Sequence, residues 1–371
     1  MIAGSQILLI LVSLIVVSAG TVIVRVLLSG TTPAIRPRPG ESSVAELTSI
    51  PVDGADLWML IRGRNAKNPV LLFLHGGPGT AMIGIARRYQ KLLEEHFVVV
   101  QWDQRGAGLS GGGNPADLTL DRFLNDGREV TAYLKRRFNA ERIFLVGHSW
   151  GSAFGYILSH RFPGDYHAFF GISQLSSRNE ERCYTATLER ARSVNDGQVV
   201  AALETLGPPP YRNVVSERSR VAAAEEGNEA VAGMLERYRW SDRLGGDSGE
   251  INIVRRFIRD LLVHREYAPA TIKAWMTNKS TSLNATYCAF IDTMDLFAEG
   301  TDFTIPVYFL IGEHDLLTVP EGAEELMEEI RAPEKEIVRF DAAHEIPWER
   351  TREYQQAIIE RAERLSVIPI L

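Results

Sequence analysis

The sequence predicts an α/β fold, a mostly parallel sheet covered by helices on both faces, carrying one helical insertion and preceded by an apolar N-terminal segment. Three observations predict it. Short runs rich in Val, Leu, Ile and Phe, such as VLLFLHGG, FVVVQWDQRG and RIFLVG, alternate with longer amphipathic stretches. Strands apolar on every residue are those buried on both faces of a parallel sheet. The alternation lapses between about residues 174 and 296, where RCYTATLERARSV, EAVAGMLERYRW, IVRRFIRDLLVHRE and YCAFIDTMDLF follow one another as charged helical segments around Pro208-Pro209-Pro210. It resumes with IPVYFLIG and KEIVRF, separated by the helical PEGAEELMEEI.

In chain order, residues 1–28 form an apolar leader, 29–44 a linker, 45–173 the first part of the core, 174–296 a helical cap, and 297–371 the second part of the core. Ile7 to Val24 contains no charged residue. Such a run is long enough to cross a bilayer, and it reads as a single-pass membrane anchor. The competing reading is a signal peptide cleaved after Val17-Ser18-Ala19, with export of the body. No Lys or Arg precedes the run, and cleavage there would leave TVIVRVLL on the new terminus. Arg25, Arg36 and Arg38 follow the span, which favours a cytoplasmic body. Large domains can be exported against so weak a bias, and the side of the membrane stays open. Ser29 to Ser43 is rich in Pro, Gly, Ser and Thr and reads as a tether. LWMLIRG is the first clear strand, RRYQKLLEEH a helix, Leu120–Phe138 a long amphipathic helix, HAFFGIS a strand, and the chain closes on a helix from about Glu349 to Leu365.

Forty basic against forty-seven acidic residues give a net charge of −7. No Lys/Arg-rich run with interleaved aromatics is present, which excludes a nucleic-acid partner. Two cysteines, Cys183 and Cys288, exclude a disulfide framework and any CxxC motif. A single bridge between them stays open if the body is exported.

In Gly147-His148-Ser149-Trp150-Gly151, glycines stand two residues before and two after a serine, between an apolar strand and a helical run. A tight strand-to-helix turn strains its central residue, and side chains at the flanks would strike the neighbouring strand and helix. The serine is thereby offered at the carboxyl edge of the sheet as a nucleophile. It needs an imidazole to take its proton and a carboxylate to hold the imidazole, in the chain order serine, acid, histidine. Of eight histidines, His75 and His96 precede the serine, His148 adjoins it and is expected to point elsewhere, His160 lies on the next helix, His167 starts a strand, and His264 falls in the cap. His314 sits beside an acid. His344 follows the last strand by one short loop and is the expected base. Asp315, after IPVYFLIG, is the expected acid, with Glu313 and Asp341 as rivals. Donors for an oxyanion are expected from the backbone of Trp150 and of the loop His75-Gly76-Gly77-Pro78-Gly79.

Two patterns lead nowhere. Gly106-Ala107-Gly108-Leu109-Ser110-Gly111 matches GxGxxG, but Gly112, Gly113, Asn114 and Pro115 follow it where a nucleotide site needs a helix. His344-Glu345 lacks a second histidine one turn on, so it is no zinc motif. No cofactor or metal is expected.

HGGPG at His75 to Gly79, DQRGAGLS at Asp103 to Ser110, GHSWGS at Gly147 to Ser152, GEHD at Gly312 to Asp315 and AAHEIPWE at Ala342 to Glu349 together resemble the α/β-hydrolase superfamily, and within it the proline iminopeptidase-like serine hydrolases. The resemblance covers the body from about residue 45, apart from the cap. It implies Ser149 as nucleophile, Asp315 as acid, His344 as base, and the N–H groups of Gly77 and Trp150 as the oxyanion hole. It implies a structural role for Asp103 and Arg105, and release of an N-terminal residue, typically proline, from short peptides. Two departures stand out. His148 replaces a small residue, and the Trp-rich cap segment with an amine-binding Glu has no counterpart in Arg237-Tyr238-Arg239-Trp240-Ser241-Asp242. An aminopeptidase would need an acidic cap residue facing the serine, with Glu180, Glu181, Glu204 and Asp242 among the candidates. The alternatives are an esterase or amidase acting on a small apolar substrate and, more remotely, a receptor that keeps the fold without turnover.

Overall fold

The structure, a computed structural model, describes residues 27–112, 114–211, 229–249, 252–274 and 294–365. The expected span at Ile7 to Val24 lies outside the described residues, as does Cys288. Among the described residues no helix is long and apolar enough to cross a membrane.

Eight strands form one sheet: β1 (Val44–Val52), β2 (Ala55–Gly63), β3 (Val70–Leu74), β4 (Val98–Trp102), β5 (Ile143–His148), β6 (Tyr166–Ile172), β7 (Val307–Gly312) and β8 (Lys335–Phe340). Their spatial order is β1-β2-β4-β3-β5-β6-β7-β8. β2 runs antiparallel to β1 and β4, and from β4 to β8 every pairing is parallel. The first strand, VAELTSIPV, is half-buried at the sheet's edge and escapes a search for apolar runs.

Successive residues of a strand point to opposite faces, and the inner strands divide their apolar residues accordingly. Leu72, Leu74, Val98, Val100, Leu145 and Phe169 join a core on one face, packed against α1 (Leu120–Phe138) and α2 (Trp150–Arg161). Leu71, Phe73, Val99, Phe144, Val146 and Phe170 face the other core, with Ile358 and Ile359 of the C-terminal helix Thr351–Arg364. Helix α1 begins where the Thr119 hydroxyl accepts the N–H of Arg122 and ends at Asn139 in the left-handed region.

Because the chain goes from β3 outward to β4 and then returns to lay β5 on the other side of β3, the connections after β3 and β5 diverge. A crevice at the carboxyl ends of these two strands is where such sheets bind ligands. The HGGPG loop leaves β3 there and Ser149 leaves β5 there.

Two segments differ from expectation. RRYQKLLEEH holds only a short 3-10 turn at Ala86–Arg88 and one helical turn at Leu93–His96. Tertiary partners claim its backbone: the Gln355 side chain accepts the N–H groups of Leu92 and Leu93, and the Tyr354 hydroxyl donates to the Tyr89 carbonyl. The Pro- and Gly-rich stretch before β1 contains no helix or strand but is pinned to the body. Gly30 N–H donates to the Arg265 carbonyl at 2.8 Å, Thr32 to Glu266 at 2.9 Å, Arg62 to the Pro33 carbonyl at 2.8 Å, and Arg38 pairs with Glu95 at 3.1 Å.

Between β6 and β7 lie α3 (Asn179–Ser193), α4 (Gly197–Leu206), α5 (Glu229–Arg243) and α6 (Ile253–Val263). The first three share their own apolar cluster, including Tyr184, Val199, Leu203, Tyr211, Val231 and Trp240. α6 instead packs on the core loop carrying Met82, Ile83, Ile85 and Tyr89.

Candidate active site

Ser149 sits at φ 55°, ψ −121°, a conformation that side-chain-bearing residues seldom adopt. Three contacts hold it there. Its N–H donates to the Ile172 carbonyl at 3.0 Å, and its carbonyl accepts from the N–H and the hydroxyl of Ser152 at 2.8 and 2.6 Å. The flanking glycines are required by space. A Cβ on Gly147 would lie 2.0 Å from the Gly151 carbonyl oxygen, and one on Gly151 would lie 2.2 Å from that of Leu74.

Asp315 and His344 meet below the same corner. His344 Nδ1 donates to Asp315 Oδ2 at 2.8 Å, with both side chains buried. Asp315 also accepts the N–H groups of Leu317 and Thr318 at 2.7 and 2.8 Å and the Thr318 hydroxyl at 2.7 Å. Three donors besides the imidazole thus fix the carboxylate that orients it. With Nδ1 committed, Nε2 is the nitrogen left for exchange with the serine. The rivals lie elsewhere: Glu313 is exposed, and Asp341 is an exposed partner of His314 and Arg350. The loop around His344 is held in turn by Glu349, whose carboxylate accepts the N–H groups of Ala343 and Glu345.

Burial opposes protonation of His344, but the nearby carboxylates of Asp315, Glu345 and Asp247 outweigh it, and the imidazole is pushed up to about 9. His148 was expected to point elsewhere; it points into the site. Its ring packs 5.2 Å from that of His344 and 5.5 Å from Trp348, and its Nε2 donates to the His344 carbonyl at 3.1 Å. Burial, with the cationic tendency of His344 beside it, lowers His148 to about 3. His148 is a neutral brace for His344, and Ser173 adds to it by donating to the same carbonyl at 2.7 Å.

Gly77, at φ 116°, and Trp150 line one cavity with Ser149 and His344. The loop bearing Gly77 crosses close over the serine: a Cβ on Gly76 would be 3.1 Å from Ser149 Cβ. His75 anchors this loop. Its Nε2 accepts the Gln104 N–H, its carbonyl accepts from the Gln104 side chain, and Gln104 accepts the Trp150 indole N–H, each at 3.0 Å. Burial lowers His75 to about 4, so it serves as a neutral acceptor. Asp103 accepts from Ile83 N–H, Leu109 N–H and the Tyr267 hydroxyl, at 3.2, 2.9 and 2.6 Å. Arg105 makes a paired contact with Asp126 at 2.6 and 2.8 Å.

The cavity is about 480 Å³. Its floor is the sheet edge just described, and its roof comes from the insertion, with Leu235, Ile253 and Phe257 among the apolar contributors. Of the acidic candidates, Glu180 and Glu181 line it, while Glu204 pairs with Arg192 at the surface and Asp242 is not part of the lining. Glu180 is held by buried Arg237 at 2.9 Å and by the Tyr211 hydroxyl at 3.0 Å. Two lining carboxylates were not foreseen, Asp247 and Glu345. Glu345 N–H donates to the Asp247 carbonyl at 3.1 Å, and Asp247 accepts the Tyr238 hydroxyl at 2.8 Å. Adjacency to His344 was the available signal for Glu345; Asp247, in a glycine-rich turn, carried none.

A strand-edge serine on a strained turn, a histidine and a buried aspartate at one crevice define a hydrolase-type site on this fold. The alpha/beta hydrolase family model matches residues 71–357, and the chain belongs to that family. A relative from Bacillus subtilis described as "Probable aminopeptidase YbaC" is 28% identical over 320 residues, covering 83% of this chain and 93% of its own. The proline iminopeptidase of Heyndrickxia coagulans is 33% identical over 91 residues, covering 24% of this chain and 29% of its own. Among solved structures, the proline iminopeptidase of Mycobacterium smegmatis superimposes with a TM-score of 0.60 at 16% identity, over 87% of this chain and 98% of its own. That identity supports likeness of fold alone.

Proposed function

We propose that the chain is a serine hydrolase working through an acyl-enzyme, and that it releases N-terminal residues, proline among them, from short peptides. Ser149 Oγ attacks the carbonyl carbon as His344 Nε2 takes its proton, and the oxyanion meets the N–H groups of Gly77 and Trp150. Collapse expels the amine, which receives the proton from His344. Water then repeats the sequence on the ester and restores Ser149.

The observation that carries the aminopeptidase reading is the position of Asp247 and Glu345. Both line the serine's cavity, and both act on the charge of His344. A substrate ammonium taken out of water needs such carboxylates to offset its desolvation. It would also cancel part of the field that keeps His344 protonated. A free-amine substrate therefore makes the base competent as it binds. The names carried by the Bacillus and Heyndrickxia relatives point the same way.

The test compares a prolyl amide with its N-acetylated form and with a neutral ester of similar size. A kcat/KM higher for the free amine by about tenfold or more, the order of one well-placed charge pair, supports the reading. In the same series, the acid limb of kcat/KM, which reports the free enzyme, should stand at higher pH than the limb of kcat, which reports the complex. Equal rates for the amide and its acetylated form, or faster ester cleavage, would assign the site to an esterase. The apolar N-terminal segment is proposed as a membrane anchor, and loss of the full chain from membranes on carbonate washing would overturn that.

A further inference from the structure

Helix α6 has two working faces. Ile253 and Phe257 turn toward the active-site cavity, and Phe257 packs 5.2 Å from Trp348. Asp260, Leu261 and His264 are buried against the body: Asp260 accepts the Tyr89 hydroxyl at 2.5 Å, and His264 Nδ1 donates to the Gly84 carbonyl at 3.1 Å. The outward face carries Arg255, Ile258, Arg259, Leu262 and Val263. These stand at spacings of three and four, one stripe of a helix.

Apolar side chains on that stripe lie open to solvent, Ile258 at 49%, Leu262 at 65% and Val263 at 66%. Large apolar residues this exposed are few among the described residues. The others are Val194, Leu27 and Leu28, the last two 75% and 40% exposed. Leu27 and Leu28 are not distant. The bonds from Gly30 to the Arg265 carbonyl and from Thr32 to Glu266 bring the end of the N-terminal segment to the C-terminal end of α6. One place on the molecule therefore gathers five of the six. Among the described residues Arg255 and Arg259 make no ion pair. A stripe alternating Ile, Leu and Val with two arginines differs from a solvated face, which is polar throughout. It also differs from a protein-core face, which would not carry arginines. It has the make-up of a helix lying in a lipid interface, its apolar residues at the acyl boundary and its cations at the phosphates.

We propose that α6 docks on a lipid surface containing anionic headgroups, with Ile258, Leu262 and Val263 entering the interface, and so holds the catalytic cavity beside the membrane. The occupant follows from where the chain leads. The 26 residues before Leu27 include the uncharged run Ile7 to Val24, and the described segment that follows, from Leu27, is pinned at the C-terminal end of α6 through Gly30 and Thr32. A bilayer that accepts one is within reach of the other. Because segment 29–38 is held to the body, the cavity has a set orientation to that surface.

The test uses the full chain with an environment-sensitive fluorophore on Leu262→Cys. A control label goes on Glu141→Cys, which is exposed just before β5 at the opposite edge of the sheet from the active site. Each is mixed with vesicles of phosphatidylcholine, with or without phosphatidylglycerol, containing spin-labelled lipid. The expected result is a blue shift and quenching at Leu262 and neither at Glu141. Arg255→Gln and Arg259→Gln should each lower the docked-to-undocked ratio about fivefold, only where phosphatidylglycerol is present. Flotation with the vesicles while Leu262 stays as unquenched as Glu141 would overturn docking and leave the anchor standing, whether water, residues 7–24 or a second copy covers the stripe. Failure to float would overturn both. Retained hydrolysis of a soluble ester by every variant shows that the body has folded.

Discussion

The floor and the roof of the cavity are built on opposite terms. On the floor, position is imposed by backbone: a serine at positive φ, glycines with no room for a Cβ, and the paired His344 and Asp315 hung from two successive strand ends. On the roof, position is imposed by buried polar pairs between elements far apart in sequence, such as Tyr267 with Asp103, Asp260 with Tyr89, and Arg237 with Glu180. The floor holds Ser149, His344 and Asp315 to a single geometry. The roof can change its charge and shape through side chains without moving them. That division lets one fold keep its chemistry while its specificity varies.

The largest expected effect breaks the floor's chemistry and leaves its structure. Ser149→Ala should lower kcat by about 10⁴-fold or more and abolish labelling by a fluorophosphonate, with the melting temperature retained. Labelling that persists would place the nucleophile elsewhere. Gly147→Ala should break the floor's structure, because its Cβ would overlap the Gly151 carbonyl. A loss of about 3 kcal/mol or outright misfolding is expected, measured by urea unfolding.

On the roof, Tyr267→Phe removes one donor from buried Asp103 and should cost about 2 kcal/mol with smaller changes in kcat. If this variant instead abolished turnover at full stability, the roof would belong to the chemistry and the division would fail. The smallest effect concerns charge. Glu345→Gln removes one of the carboxylates that raise His344, so the acid limb of kcat/KM for a neutral ester should move to lower pH while its plateau changes little.

One further expectation opposes activity to stability. The folded-state value of His344, about 9, lies above its ordinary 6.5. Its contribution to stability is therefore fully present below about 6.5 and is lost as pH rises through about 9. Turnover should climb over that window as the imidazole loses its proton. Urea midpoints and initial rates measured across the window in Glu345→Gln and the parent should show both trends, each weaker in the variant.

Among the residues, the strained corner at Ser149 was legible because its constraints are local. Gly147 and Gly151 are separated from Ser149 by one residue each, and the steric demand of the turn is written in that spacing. Asp315 and His344 follow strand ends, and a parallel sheet brings all such ends to one edge. The segment 87–96 misled because its helical periodicity is overridden by Gln355 and Tyr354, more than 250 positions away. His148 misled for a related reason: adjacency to Ser149 on a strand suggests the opposite face, yet the sharp turn leaves its ring against His344 and Trp348.

By itself the sequence determined the order of the inner strands and of the long helices on either side of Ser149, the strained serine and the short list of its partners, since periodicity, glycine spacing and chain order act over a few residues. Only the tertiary structure decided which carboxylates act on His344. Asp247 and Glu345 meet across 98 positions, where the Glu345 N–H donates to the Asp247 carbonyl, and Glu180, a plausible amine site from the sequence, is occupied by Arg237. Electrostatic fields depend on distance through space and on burial, and neither is a property of neighbouring letters in a chain.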